Sequence, residues 1–476
     1  MDFRLLAPLV GYLVIIILIG IYASRFSSRG ISEFFIGGRQ MGRFVVALSS
    51  VVSGRSAWLL MGVSGLAYMQ GLTAIWAVIG YTVVEFLLFL YYAPRIRKFS
   101  GENDCITLPD FYAARFRDNK GYLRILLVLI FIIFMVTYIS SQFVAGGKAF
   151  TAHLGISEPT GILLTAAIIL LYTMLGGFLA VSLTDVVQAF VMLFALVGLP
   201  LIGIIGKGGF GNISLELKAI DKEMLNLFRQ PALVIIGLIG IGLGSPGNPH
   251  IIVRYMSIKD QTQFRWTAIV GTIWNIIMAA GAIMVGLIGR TYFNQPDQLP
   301  GGDQENVYVA LSNHLMNPFI AGLVIASIFA AIMSTADSQL LIAASSIVRD
   351  VYEKLIGTNK IITRKQLTNW SRIVVLLVVI VAIILGFTIR QEILWFVLFA
   401  WAGLGASVGP TSLLALFWKK TTKQGVIWGL ITGTLVVFVW KTNKYLNNII
   451  YELIPGFLIA LLVTIIVSLL TQESEN

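Results

Sequence analysis

The chain has 476 residues, 57% of them hydrophobic and 12% charged, with a net charge of +11 and a mean hydropathy of +0.86. Water-facing domains carry about 25% charged residues, so these figures exclude an ordinary soluble fold and make lipid the main solvent. One cysteine, Cys105, and three scattered histidines exclude an internal disulfide framework and any multi-cysteine metal centre.

Apolar runs of about 20 residues, the length that crosses a bilayer, recur from end to end. They predict about thirteen spans, near 5–23, 43–66, 72–92, 122–148, 158–176, 182–206, 231–249, 267–289, 319–347, 370–389, 393–417, 424–440 and 449–471. The first run lacks a basic start and a small-residue cleavage site and is soon followed by another span, so it reads as a retained helix rather than a signal. A spanning backbone without water must satisfy itself, which only helices and closed barrels do. The short alternating strands of a barrel are not in evidence, and the expected fold class is an all-α integral membrane protein.

Basic residues choose the orientation. Arg25, Arg29, Arg39 and Arg43, then Arg95 to Lys120, then Arg254 to Arg265, Arg349 to Lys365, and Lys419 to Lys423 all fall on one side of this layout. The other side has mainly Lys207, Lys218, Lys222 and Arg229. This predicts an inner (plasma) membrane protein with the N-terminus outside and the C-terminus in the cytoplasm. It also explains the basic excess without nucleic acid. Two hydrophilic segments, 207–230 and 290–318, fall on the outer side, and the second reads as a loop.

Two spans are interrupted near mid-membrane, one at Ser49-Ser50-Val51-Val52-Ser53-Gly54-Arg55-Ser56-Ala57-Trp58 and one at Gly240 to His250, which includes Pro246 and Pro249. They are the second and seventh spans, equivalent positions if five helices form a repeat. Matched Gly/Pro interruptions are the best sequence pointer to a transporter site, because unwound backbone frees carbonyls for cations and amides for anions. Glycines that merely admit close helix packing are the competing explanation, and two interruptions at matching places weigh against it.

Arg55, Asp185 and Asp337 lie inside apolar spans, where a charge costs about 2.5–3.5 kcal/mol on insertion scales and demands a partner or water. Glu85 is a weaker case, and Arg254 and Arg349 read as interfacial. Ser334, Asp337 and Ser338 share one helical face, with Thr335 beside them, since neighbours on a helix lie three and four apart. Hydroxyls and a carboxylate suit a hard cation such as Na⁺. Asp185 has Ser182 a turn before it and Gln188 a turn after. Helix-to-helix glue or back-bonding to the preceding turn is the competing reading, favoured for a lone Ser or Thr but not for Asp337 with its hydroxyl face.

These residues resemble the sodium/solute symporter family over nearly the whole length, its sodium/proline symporters most of all. The resemblance rests on Ser56-Ala57-Trp58-Leu59-Leu60-Met61-Gly62, the run Gly176 to Asp185, Asn248-Pro249-His250, Met333-Ser334-Thr335 with Ser338-Gln339-Leu340-Leu341, and Ala400-Trp401-Ala402-Gly403. It implies two inverted five-helix repeats, 31–206 and 207–418, preceded by one extra helix within 1–30 and followed by two within 419–476. It further implies Na⁺ held by carbonyls of Val52, Arg55 and Ala331 and the hydroxyls of Ser334 and Thr335. Asp185, Ser334, Asp337 and Ser338 match a second cation position found in some members. Substrate is implied between the broken helices, near Ser56, Tyr138 and Pro249. Proline carriers of this type resemble Ser-Asp-Met-Ser-Gly-Trp where this chain has Ser53-Gly54-Arg55-Ser56-Ala57-Trp58, and aromatic residues expected on the second broken helix are replaced by Ile241 and Ser245.

The expected function is cation-coupled import, with Na⁺ as coupling ion, of a small organic solute such as an amino acid or another carboxylate. No cofactor and no obligatory protein partner are implied. Proton coupling, ion-independent transport, and a channel or sensor on the same fold remain open. An intramembrane enzyme is disfavoured, because none of the histidines pairs with a serine or cysteine as a catalytic dyad requires. No nucleotide-binding loop of the P-loop type occurs. For Arg55 three roles are considered: clamp for a substrate carboxylate, tethered cation paired with Asp337 or Asp185, or structural ion pair; the first two rank above the third, because a mid-membrane charge demands a nearby negative group and the cavity is where one would be.

Overall fold

The computed structural model describes residues 3–27, 31–356, 364–388 and 392–472. Arg29 and Lys360, used above for orientation, lie outside them. The described residues are helical and form no strand beyond an isolated bridge between Met41 and Ile258. The main helices are α1 (Phe3–Ser27), α2 (Arg43–Ser53), α3 (Ser64–Gln70), α4 (Ile75–Leu87), α5 (Tyr122–Leu154), α6 (Glu158–Gly206), α7 (Ala232–Gly240), α8 (Pro249–Ser257), α9 (Phe264–Tyr292), α10 (Pro318–Ser345), α11 (Arg364–Thr388), α12 (Ile393–Phe417), α13 (Lys423–Thr442) and α14 (Leu453–Thr471).

Helix occupies every predicted span, but the expected thirteen is not reproduced as a count. Among the described residues, ten helices are long and apolar enough to cross a bilayer, or eleven with one bent pair. Two local features blur the tally. The predicted spans 158–176 and 182–206 run on as α6, broken only at Gly177, whose φ of 60° and ψ of −166° are open to a residue without Cβ. Similarly, the turn between the second and third spans is tight. Gly71 has a φ of 70°, and the Leu72 amide donates to the Met224 carbonyl at 2.8 Å.

Both hydrophilic segments are more ordered than their composition suggests. The first contains a helix, Phe210–Ile220. The second, expected as a loop, contains Val307–Leu315. Its approach is fixed by Asp303, which accepts from the Glu305 amide at 2.9 Å, and by Glu305, which accepts from the Ile393 and Leu394 amides at the start of α12. Lys148 of α5 completes this end, 2.8 Å from both Asp303 and Glu305. A helix in the corresponding place of the first half, Leu108–Arg115, lies at the opposite end of the bundle. There Arg124 bridges Asp110 and Asp350. Two equivalent helices at opposite ends are what an inverted repeat produces.

The loops predicted to share one side do meet at one end. Lys423 pairs with Asp118, Arg97 donates to the Ile258 carbonyl, and Arg115 donates to the Ala415 carbonyl. Lys207 donates to the Thr291 carbonyl at the other end. Buried apolar side chains from α2, α5, α9, α10 and α12 make one continuous core, and the outer faces of α1, α11 and α14 expose leucine, isoleucine and valine. That distribution suits a body surrounded by lipid.

Candidate functional site

The site begins with the two interruptions. After Ser53 the chain leaves the helix for Gly54 to Ser56 and re-enters it at Ala57, widened to a π-helix over Trp58–Val63. The second interruption tightens into a 3₁₀ turn over Ile241–Gly247, extends at Asn248 (φ −91°, ψ 104°), and restarts at Pro249, bending by 52°. Proline suits the first position of a helix, where its missing N–H is not needed. The glycines here also admit close packing: a Cβ at Gly247 would strike the Leu404 and Gly405 backbone of α12. Close packing and unwinding therefore occur in the same stretch.

Freed carbonyls of the first break meet α10. Ser334 Oγ lies 3.2 Å from the Val52 carbonyl and 3.1 Å from the Ala331 carbonyl, and Thr335 Oγ1 donates to the Ser53 carbonyl at 3.0 Å. Arg55 continues the same turn, its amide donating to the Val52 carbonyl at 3.0 Å. Oxygens from two helices thus converge with no nitrogen or sulfur among them, the donor set that suits a hard monovalent cation.

One turn further along α10 lies a buried polar cluster. Asp185 Oδ2 accepts from Ser49 at 2.6 Å, Ser53 at 3.3 Å and Arg254 at 3.0 Å. Ser338 donates to Asp337 Oδ1 at 3.1 Å and to the Ser334 carbonyl at 2.8 Å, and it accepts from Arg254. Asp185 Oδ1 and Asp337 Oδ2 are buried without a hydrogen-bond partner among the described residues. Every residue expected around the cations is therefore drawn into one region.

The substrate set divides. Tyr138 is fully buried, approaches Ser56 without a well-formed hydrogen bond, and meets the His250 ring edge-on at 6.1 Å. Pro249 adjoins His250, whose two ring nitrogens have no partner among the described residues. Ser245 is instead committed to Glu85 at 3.2 Å. Ile241 gives its carbonyl to Trp401 at 2.8 Å and lines a separate cavity of about 310 Å³ with Trp395, Lys441 and Glu452.

The side chain of Arg55 belongs to neither group. Its Nη2 donates to Glu85 at 2.6 Å, Nε to Asn275 at 3.1 Å and Nη1 to the Gly54 carbonyl at 3.1 Å, and its guanidinium stacks over Tyr81 at 3.6 Å. Of the three roles considered, this geometry matches the structural ion pair, the one ranked last from the sequence, because Glu85 rather than Asp337 or Asp185 is the carboxylate within reach, while Asp185 takes Arg254 as its partner. Arg254, expected at an interface, is instead buried inside the bundle, because α8 starts at the break and five residues of helix rise only about 7.5 Å. That offset from Pro249 was the available signal. Ser49 and His250 lay within the interrupted stretches but carried no assigned role, and nothing comparable marked Asn275.

A bundle with two discontinuous helices crossing beside an oxygen-lined cluster defines a secondary carrier of the inverted-repeat type. The sodium:solute symporter family model matches residues 34–433, and the chain belongs to that family. It is 39% identical over 462 residues to the high-affinity proline transporter PutP of Bacillus subtilis strain 168, covering 97% of each chain. It is also 39% identical over 471 residues to a sodium/proline symporter of Staphylococcus aureus strain NCTC 8325, covering 97% of this chain and 92% of that one. Among solved structures, a Na⁺-coupled sialic acid symporter in a substrate-bound, outward-open state shares the fold, with a TM-score of 0.80, 20% identity and 98% of both chains covered. A nucleobase-cation-symport-1 family transporter aligns with a TM-score of 0.57 at 15% identity over 92% of this chain and 95% of its own.

Proposed function

We propose that this chain is a Na⁺-coupled importer of a small amino acid, with proline the first candidate, working by alternating access. The carrying observation is the all-oxygen convergence of the Val52 and Ala331 carbonyls with the Ser334 and Thr335 hydroxyls across the first break. Na⁺ at that point joins α2 to α10, so binding the ion favours one arrangement of the bundle and thereby one affinity for solute. The backbone carbonyl of Arg55 completes this set, and Asp185, Asp337 and Ser338 supply the negative charge beside it. Solute lies beyond the break, between Ser56, Tyr138, His250 and Pro249, with Ile241 and Ser245 shaping the surroundings from the second broken helix. The proline specificity named for the curated relatives supports the choice of first candidate.

The halves run 31–206 and 207–418, with flanking helices in 1–30 and 419–476. The N-terminus faces outward and the C-terminus the cytoplasm of a plasma (inner) membrane. A second reading, proton coupling, is favoured by the unpartnered carboxylate oxygen of Asp337, a place where a proton substitutes for a metal ion. Uptake into proteoliposomes, screened with radiolabelled amino acids and carboxylates under imposed Na⁺ or H⁺ gradients, tests both. Na⁺-driven accumulation of proline against its gradient is expected. Accumulation driven by H⁺ alone, or flux that never exceeds equilibration, refutes the Na⁺ symport reading.

A further inference from the structure

Arg254 is 1% exposed, and its guanidinium joins four elements. Nη2 donates to Asp185 of α6 at 3.0 Å and to Ser338 of α10, Nε donates to Ser49 of α2 at 2.7 Å, and Nη1 donates to the His250 carbonyl of α8 itself. Asp185 and Ser338 are two of the four side chains, with Ser334 and Asp337, that the family pattern would give to a second cation. In this chain both are already engaged by a positive charge on a side chain that cannot shed its proton.

A charge count of the region sharpens the point. Asp185 and Asp337 are fully buried; with both ionised they bring two negative charges, and Arg254 returns one. The neighbouring guanidinium, Arg55, is neutralised by Glu85 at 2.6 Å and contributes nothing. Tyr12, which accepts from Gln188 at 3.2 Å, and His250 are the remaining titratable groups at the cluster. Buried charge is retained only when paired, so the region is one positive charge short. A single Na⁺ at Ser334 and Thr335, on the same helix as Asp337, makes up the deficit. A second ion between Asp185 and Ser338 would stand against the guanidinium itself.

We propose that Arg254 is a built-in substitute for a second coupling cation: its guanidinium fills the position between Asp185 and Ser338, so the chain binds one Na⁺ where an Arg254-neutral variant binds two. The proposal rests on the Na⁺-symport reading above. Because the same guanidinium also grips the His250 carbonyl, the tethered charge links the solute-side helix to the ion cluster.

The test is the Na⁺ binding stoichiometry of the purified full-length chain, read with ²²Na⁺ in detergent, without any need for transport. Expected values are one ion for the wild type, one for Arg254→Lys, and two for Arg254→Met or, should that variant fail to fold, Arg254→Gln. The double variant Arg254→Met with Asp185→Asn removes one charge of each sign and returns the count to one. A wild-type count of two overturns the proposal by itself, and so does a count of one for a folded neutral variant. No Na⁺ bound by wild type or variant refutes the Na⁺-symport reading and the proposal together, an outcome distinct from one ion in each. In proteoliposomes the Hill coefficient for Na⁺ should rise from about one towards two in the neutral variant.

Discussion

Replacing Glu85 by glutamine tests the assignment of Arg55 as a structural ion pair. The two side chains are 0% and 4% exposed and 2.6 Å apart, so Arg55 has no water to turn to when its partner is neutralised. It cannot escape by deprotonation, since a guanidinium keeps its proton at any accessible pH. The Asn275 and Gly54 oxygens supply hydrogen bonds but no charge. Breaking a buried pair from one side costs about 3–5 kcal/mol, or roughly two to nearly four orders of magnitude in the folding equilibrium. Arg55→Met with Glu85→Gln removes both charges and gives up the stacking on Tyr81, about 0.5–2 kcal/mol for such a contact, together with the hydrogen bonds to the Asn275 and Gly54 oxygens, about 1 kcal/mol each. Unfolding in mixed micelles of increasing SDS content, followed by helicity, should therefore place Glu85→Gln far below the wild type and the double variant nearer to it. Uptake should survive in the double variant once expression is matched. A Glu85→Gln protein as stable as the wild type, or a double variant no better than the single, would show that the pair does not behave as a closed unit.

Two further outcomes are expected. Ser334→Ala and Thr335→Ala each delete an oxygen at the first break, and each should raise the Na⁺ concentration for half-maximal uptake about tenfold, the equivalent of one lost polar contact, with normal abundance; unchanged Na⁺ activation in both removes these residues from the cation path. Single cysteines at Lys120 and Lys360 in a Cys105→Ser background should resist an impermeant thiol reagent applied to intact cells, whereas labelling of both reverses the orientation. Cys105 itself is buried, and burial with nearby Asp110 pushes its thiol up to about 12, so it makes a quiet background even before replacement.

Spans were readable from hydropathy because lipid leaves the backbone no alternative to the helix, and the two breaks were readable because Gly, Pro and Ser at mid-membrane have few other uses. The hydroxyl face of α10 was readable for a related reason: Ser334, Asp337 and Ser338 sit at helical spacing within one element. Pairings between elements were not. Nothing in the sequence around Glu85 distinguishes Arg55 from Arg254 as its partner, because that choice depends on how α4, α8 and α9 are rotated about their own axes. Ile241 and Ser245 illustrate the same limit. They occupy the second broken helix as expected, yet its 3₁₀ winding turns one towards Trp395 and the other towards Glu85.

The small bridge between Met41 and Ile258 has a kinematic consequence. Met41 donates to the Ser257 carbonyl at 3.1 Å and accepts from the Lys259 amide at 2.9 Å, so the ends of α2 and α8 are stitched by main chain alone. In a carrier the two half-helices then swing as one lever, with the stitch as its heel. Opening at that end cannot part them. It must separate the lever from its other neighbours, along the narrow cleft that Pro249, Val253 and Met256 form with Phe131 of α5 and Ile342 of α10. A disulfide between cysteines at 41 and 258 should accordingly leave uptake intact, while one between 131 and 253 should arrest it; arrest by the first would mean that the lever comes apart.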